Sequence, residues 1–193
     1  LIASRLSVQG GIADDRLTYL AAGRRTYADL FLPLAKNEII KNTTINFYDL
    51  NARLKWKVND NNYLYLSLYN GRDRFRISDM GLKFGNAATA INWNHAISDR
   101  LFMRFFTTYT NYDYDFQGST SEMDLEWISR IQDAGLRVDF SFIPDQKNVF
   151  EFGYTSNFQW FQPGKAIGTG TIGTGAKVEQ DITMSRRQGF VNV

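Results

Sequence analysis

The chain has 193 residues, with 22 Lys and Arg against 20 Asp and Glu and a formal net charge of +2. That balance excludes the strong, clustered basic footprint of a nucleic-acid binder. Cysteine is absent and His95 is the only histidine, which excludes disulfides, thiolate metal sites and Cys nucleophiles and leaves no His-based metal site or triad, so no cofactor is expected.

No apolar run approaches the eighteen or so residues of a membrane-spanning helix. Barrel strands, however, alternate apolar and polar residues and average to an ordinary hydropathy, so this does not exclude a membrane barrel. The chain opens Leu1-Ile2-Ala3-Ser4, without an initiator Met or a charged-then-apolar targeting segment, and is expected to be processed or an internal piece.

Period-two alternation runs from end to end. In 5–12, Leu6, Val8 and Ile12 share one face and Arg5, Ser7 and Gln9 the other; a second strand is expected over 16–24. The clearest strand is 48–58, with Tyr48, Leu50, Ala52, Leu54, Trp56 and Val58 on one side and Asp49, Asn51, Arg53, Lys55 and Lys57 opposite. Next comes 63–72, with Leu64, Leu66 and Leu68 together, then 86–97, with Ile91, Trp93 and Ile97 against Asn92 and Asn94. The stretch 101–115 sets Arg104, Thr108 and Thr110 on the face taken as interior, and 136–143 and 149–161 complete about eight strands. Many match or exceed the roughly 9–11 residues that cross a bilayer at a tilt.

Connections at 13–15, 59–62, 98–100 and 144–148 are short and rich in Asp and Asn, as tight hairpins require. Those between them, about 26–43, 73–82, 116–122 and 163 onward, read as longer. Strict alternation of short and long connections is the pattern of an outer-membrane barrel, with short periplasmic turns and longer extracellular loops. Tyr48, Tyr63, Trp93, Tyr112, Tyr114, Trp127, Trp160 and Phe161 sit near strand ends, where aromatic girdles meet the two interfaces.

The segments Gly23-Arg24-Arg25-Thr26-Tyr27-Ala28-Asp29-Leu30, Phe47-Tyr48-Asp49-Leu50-Asn51-Ala52, Tyr69-Asn70-Gly71-Arg72-Asp73, Trp93-Asn94-His95, Asp99-Arg100-Leu101-Phe102 and Tyr112-Asp113-Tyr114-Asp115, in this order and spacing, resemble the barrel of TonB-dependent outer-membrane receptors of the Bacteroidetes type. The resemblance runs from Leu6 to about Pro163. It implies an all-β, antiparallel up-and-down transmembrane barrel, of which 1–162 supplies about eight of a probable 22 strands, with 163–193 as a Gly/Thr-rich extracellular loop and no plug domain in this chain. It further implies a Gram-negative outer membrane, uptake of a scarce nutrient (siderophore, glycan or peptide), and as partners the membrane lipid, a plug, a TonB-type energising protein and a surface lipoprotein.

On this reading the lumen or ligand-facing candidates are Arg24, Arg25, Asp49, Arg53, Lys55, Arg72, Arg104 and Tyr112. Arg24 and Arg25 either both contact an anionic ligand or plug, or divide, one meeting lumen water and its neighbour snorkelling to lipid headgroups. Asp113 and Asp115 share a face but have no further catalytic group beside them, so solvation of a loop base is expected rather than acid/base chemistry. Gly168, Gly170 and Gly173 form a G-x-G-x-x-G spacing, but after a breaker at Gln162-Pro163-Gly164, and a flexible loop is expected in place of a phosphate cradle. His95, beside a short turn, reads as interfacial; an enzyme would have to use it from the wrong end of its strand, and none is expected. Two alternatives stand: a small eight-stranded barrel serving as adhesin or anchor, and a soluble lipocalin-like barrel, whose interior would be the apolar side.

Overall fold

The computed structural model describes residues 3–119, 123–170 and 182–192. These form one nine-stranded antiparallel sheet in sequence order: β1 (Ala3–Ile12), β2 (Leu17–Thr26), β3 (Thr44–Asn59), β4 (Asn62–Ile77), β5 (Met80–Ser98), β6 (Leu101–Ser119), β7 (Met123–Phe142), β8 (Phe150–Gly170) and β9 (Ile182–Asn192). The up-and-down meander is as expected. It has one strand more than the eight read from the sequence, and its two edges, β1 and β9, are not joined to each other among the described residues.

The short turns close as their sequences dictate. Asn59 Oδ1 accepts from the Asn61 backbone N–H at 3.0 Å and from Asn62 Nδ2 at 2.8 Å. Ser98 Oγ accepts from the backbone N–H groups of Arg100 and Leu101. Ala13, Asp14 and Asp15 adopt positive φ of 56°, 53° and 60°, the left-handed geometry that short polar residues such as Asp tolerate best.

In the turn after β7, Asp145 Oδ1 accepts from the Lys147 and Asn148 backbone N–H groups at 2.8 and 3.0 Å. These bonds, with that from the Asn148 side chain foremost, hold the Asp145 carboxyl below its ordinary pKa. A lowered folded-state pKa adds stability above the unfolded value, lost as pH falls through the folded one. Asp145→Ala is therefore expected to loosen this turn at neutral pH and to have no further effect well below pH of about 4, as read by amide hydrogen exchange at Lys147 and Asn148.

At the other end of the sheet the outcome differs from the sequence reading. The expected loop at 73–82 is paired strand except for a two-residue turn, Ser78-Asp79, and β6 and β7 pair up to Ser119 and Asp124. Short and long connections therefore do not alternate strictly. Strands β3 to β8 instead run 16 to 21 residues, beyond the roughly 9–11 of a bilayer crossing. Residues 163–170 likewise belong to β8 and 182–192 to β9, so 163–193 is not one loop. The physical reason is common to all three: an extended hairpin pairs every backbone polar group, whereas a loop must find other partners for them. Charged residues such as Arg72, Asp73 and Arg74 mark a loop only where one strand face is dry.

Among the described residues no apolar side chain is buried, and large ones stand open, Leu6 at 79% and Leu50 and Val8 at 54%. A soluble sheet covers its apolar face. This one leaves it bare. The excursion between β2 and β3 contains two one-turn helices, α1 (Ala28–Phe31) and α2 (Glu38–Lys41), around a 3-10 turn at Leu32–Leu34.

Candidate functional site

Directly paired residues of an antiparallel sheet project to the same side, so the register fixes two faces. One row crosses the sheet through Leu54, Leu66, Ile91, Thr107 and Leu136, with Trp56, Leu64, Trp93, Phe105 and Val138 one row nearer the short turns. The opposite face carries Arg53, Ser67, Ala90, Thr108 and Gly135 in one row and Lys55, Tyr65, Asn92, Phe106 and Arg137 in the next. The alternation of apolar and polar faces read from 48–58, 63–72 and 86–97 holds.

Towards the far ends of the strands, the apolar residues change sides. In β4 they move from Leu64, Leu66 and Leu68 to Phe75 and Ile77, while Arg72, Arg74 and Arg76 take over the first face. In β3, Ile45 and Phe47 oppose Leu50 and Leu54. In β5, Phe84 and Leu82 oppose Trp93 and Ile91. In β6 the first face passes from Phe105 and Tyr109 to Asn111, Asp113 and Asp115, while Tyr112, Tyr114 and Phe116 extend the opposite face, which already carries Phe102 and Phe106. In β7, Trp127 and Ile131 oppose Leu136 and Val138. The pairings Phe47 to Asp73 to Phe84 to Tyr114 and Phe75 to Leu82 to Phe116 to Trp127 place all of these switches at one level of the sheet.

The site candidates fall into place on this frame. Arg24, Asp49 and Tyr112 lie in one row of the polar face, just below the aromatic patch. Arg24 Nε donates to Asp49 Oδ2 at 2.7 Å, and its guanidinium lies 5.9 Å from the Phe47 ring centroid. Arg53 and Lys55 stand lower on that face, Lys55 against the Tyr63 ring at 5.9 Å. Arg104 lies nearer the short turns, opposite Asp139, which accepts both bonds of Arg137 Nε at 2.8 and 2.9 Å. Between these levels, the side-chain oxygens of Asn92 and Asn94 are buried without a hydrogen-bond partner, which a neighbour on this face would satisfy.

Arg25 and Arg72 are on the other face, paired with Tyr48, so the structure does not bring them together with the remaining six. Arg72 lies 3.6 Å from Asp113 and Lys83 3.2 Å from Asp115; the two aspartates share a face as read, but they stand within β6 as ion-pair partners and not at a loop base. The girdle aromatics divide as well: Tyr48, Trp93 and Trp160 lie on the face of Leu66, Tyr63, Tyr112, Tyr114, Trp127 and Phe161 on that of Arg53. Gly168 and Gly170 pair with Leu125 and Met123 as extended strand inside the sheet, not as the turn that opens a phosphate cradle; Gly173 lies outside the described residues. His95 stacks on Trp93 at 5.5 Å, and no group of three or more metal-binding side chains occurs among the described residues.

Sequence reasoning missed Phe47, Phe75, Phe84 and Phe116 as parts of one patch. The signal was present as the phase switch within 64–77, where apolar residues pass from even to odd positions.

No family model matches the sequence, and no curated protein does. The fold is nonetheless similar to part of two solved receptors. One is BauA, the ferric preacinetobactin receptor of Acinetobacter baumannii, at a TM-score of 0.61 and 8% identity over 93% of this chain and 31% of that one. The other is FyuA, the ferric yersiniabactin uptake receptor of Yersinia pestis, at 0.59 and 10% identity over 98% of this chain and 34% of that one. The chain thus spans about a third of the length of these receptors, and what it shares with them is the fold.

Proposed function

We propose that this chain is part of the barrel of a TonB-dependent transporter in a Gram-negative outer membrane, of the Bacteroidetes type its motifs resemble, and that the whole protein imports a scarce nutrient. The observation that carries this reading is the apolar phase switch at one level of β3 to β7. A sheet wet on one side and dry on the other keeps a single apolar face along its whole length. A barrel wall standing taller than its bilayer does not: its outer face is apolar only within lipid and turns polar above it.

The face of Leu66 is then the lipid face, and the face of Arg53 lines the lumen. Arg53, Lys55, Arg104 and the unpaired Asn92 and Asn94 oxygens serve as contacts for a plug within a barrel of 22 strands, a size at which the lumen is plugged. Arg24, Asp49, Tyr112 and the aromatic patch above them form the mouth that meets the ligand, with a lipoprotein partner capping it. An energising partner of TonB type acts from the periplasm. A lipocalin-like barrel would keep its apolar residues on one side throughout, and the phase switch counts against it.

Uptake decides the matter. Cells lacking the protein are given in turn a ferric chelate, an oligosaccharide or a peptide as the limiting nutrient. Loss of growth on one class, reproduced by removing the energising partner, is expected. Uptake that survives removal of that partner would identify a passive pore instead.

A further inference from the structure

On the lipid face, at the level where its residues turn polar, an open groove of about 940 Å³ is lined mainly by that face. Its composition changes in one direction. Leu6, Gly23 and Leu50 form one row; Arg25, Tyr48 and Arg72 form the next; Asn46, Arg74 and Lys83 the one above. Gly23 keeps the apolar floor open, since a Cβ there would lie 3.1 Å from Leu50 Cδ2.

Height fixes what this groove meets. From His95 to Gly85, which pairs with Arg72, is ten residues of β5, on the order of 33 Å of strand, or about 25 Å of height at a barrel tilt of about 40°, equal to the apolar band of such barrels. The cations therefore stand where headgroup phosphates begin, directly above the row that meets acyl chain. Arg25, Arg72 and Lys83 each have an aspartate within 4 Å, at 3.3, 3.6 and 3.2 Å, while Arg74, between Asn46 and Lys83, has no ion-pair partner among the described residues. A guanidinium so placed is suited to bidentate recognition of a phosphate.

A second observation concerns the excursion at 27–43. Asp29 Oδ2 accepts from Arg25 Nη2 and from Asn46 Nδ2, both at 3.3 Å, so α1 is tied to the lipid face and not to the lumen. Its neighbours Leu30, Phe31, Leu34, Ile39 and Ile40 are all exposed, Leu34 at 78%. A short amphipathic segment on the outward side at headgroup level is a means of seating in a leaflet.

We infer that this groove is a specific docking site for one phosphate-bearing lipid of the outer leaflet, its phosphate on Arg74 and Lys83, its chains over Leu6, Gly23 and Leu50, and the 27–43 segment seated beside it. The inference rests on the membrane-barrel reading above. The order of apolar floor and cationic rim selects a lipid over a free anion, which would use the rim alone.

The test uses the protein purified from membranes in detergent, titrated with phosphatidic acid and followed by native mass spectrometry. Arg74→Gln combined with Lys83→Gln is expected to weaken phosphatidic acid retention roughly thirtyfold. The charge-preserving pair Arg74→Lys and Lys83→Arg retains most of it, and Arg100→Gln with Lys147→Gln, at the short-turn end, leaves it unchanged. Phosphatidylcholine should bind weakly to every form. Equal losses in the two glutamine pairs, or displacement of phosphatidic acid by an equal concentration of inorganic phosphate, would overturn the lipid site while leaving the barrel intact. If the parent protein does not insert into lipid bilayers at all, the barrel reading falls and the site with it.

Discussion

Leu66→Arg is expected to destabilise the lipid-embedded protein by about 2–4 kcal/mol, and Ser67→Arg, one residue along the same strand, by no more than about 0.5 kcal/mol. The two positions differ only in face. Leu66 sits in the row of Leu54, Ile91 and Leu136, and Ser67 in that of Arg53, Ala90 and Thr108. Counting along β5 from His95 to Gly85, the Leu66–Ile91 row falls near the centre of the apolar band, where a charge is hardest to solvate and neither interface is close enough for easy snorkelling. Ser67 has the same depth, but its face already carries Arg53 and Lys55 with water or polar partners. Equilibrium unfolding by denaturant in lipid vesicles reads both values. Equal losses would mean that neither face meets lipid, and a larger loss at Ser67 would invert the barrel and reassign the mouth residues.

The faces were legible in the sequence wherever a stretch lies wholly within the dry level, as in 48–58, because one side there must be apolar and nothing interrupts the period of two. Turns with Asn59, Ser98 and Asp145 were legible because each carries a side-chain acceptor for its own backbone. The upper strands were not. Above a bilayer both faces of a wall can be wet, so Arg72, Asp73 and Arg74 look like a loop although each pairs across β3 and β5. Their partners lie 9 to 28 residues away in the sequence, and no local pattern announces them.

The same reasoning explains the split among site candidates. Arg24 and Arg25 are adjacent, so a strand must send them to opposite sides, and the reading that divides them is the one the register supports. Arg72 reads as ligand-facing because it opens an expected extracellular loop, yet its parity is that of Leu68. Parity decides, and the apolar switch at Gly71 disguised it. In β9 the tandem Arg186-Arg187 hid a strand whose existence depends on Phe152 to Phe161 lying beside it.

The isolated 193-residue chain is expected not to yield a monomeric membrane barrel. Its sheet has an edge at β1, of ten residues, and another at β9, of eleven. Along an edge strand about every second residue directs its N–H and C=O outward, and each such group left unpaired in hydrocarbon costs several kcal/mol. Two open edges therefore outweigh what burying the row of Leu66 against lipid returns, and the available remedies are pairing with further strands, pairing with another copy, or aggregation. The fold similarity favours the first, since this chain corresponds to 31–34% of the receptors it resembles. Refolded alone in detergent, it should elute as oligomers by light scattering, with β-rich circular dichroism but no compact band that shifts on heating. Joined to the remaining strands of its protein, it should run as a heat-modifiable monomer. A compact, heat-modifiable monomer from the 193 residues alone would require β1 and β9 to meet. That result would move the protein from a wall segment of a large transporter to a small closed barrel, in which the cluster of Arg24, Asp49 and Tyr112 would face an interior too narrow for a plug and packed by its own side chains.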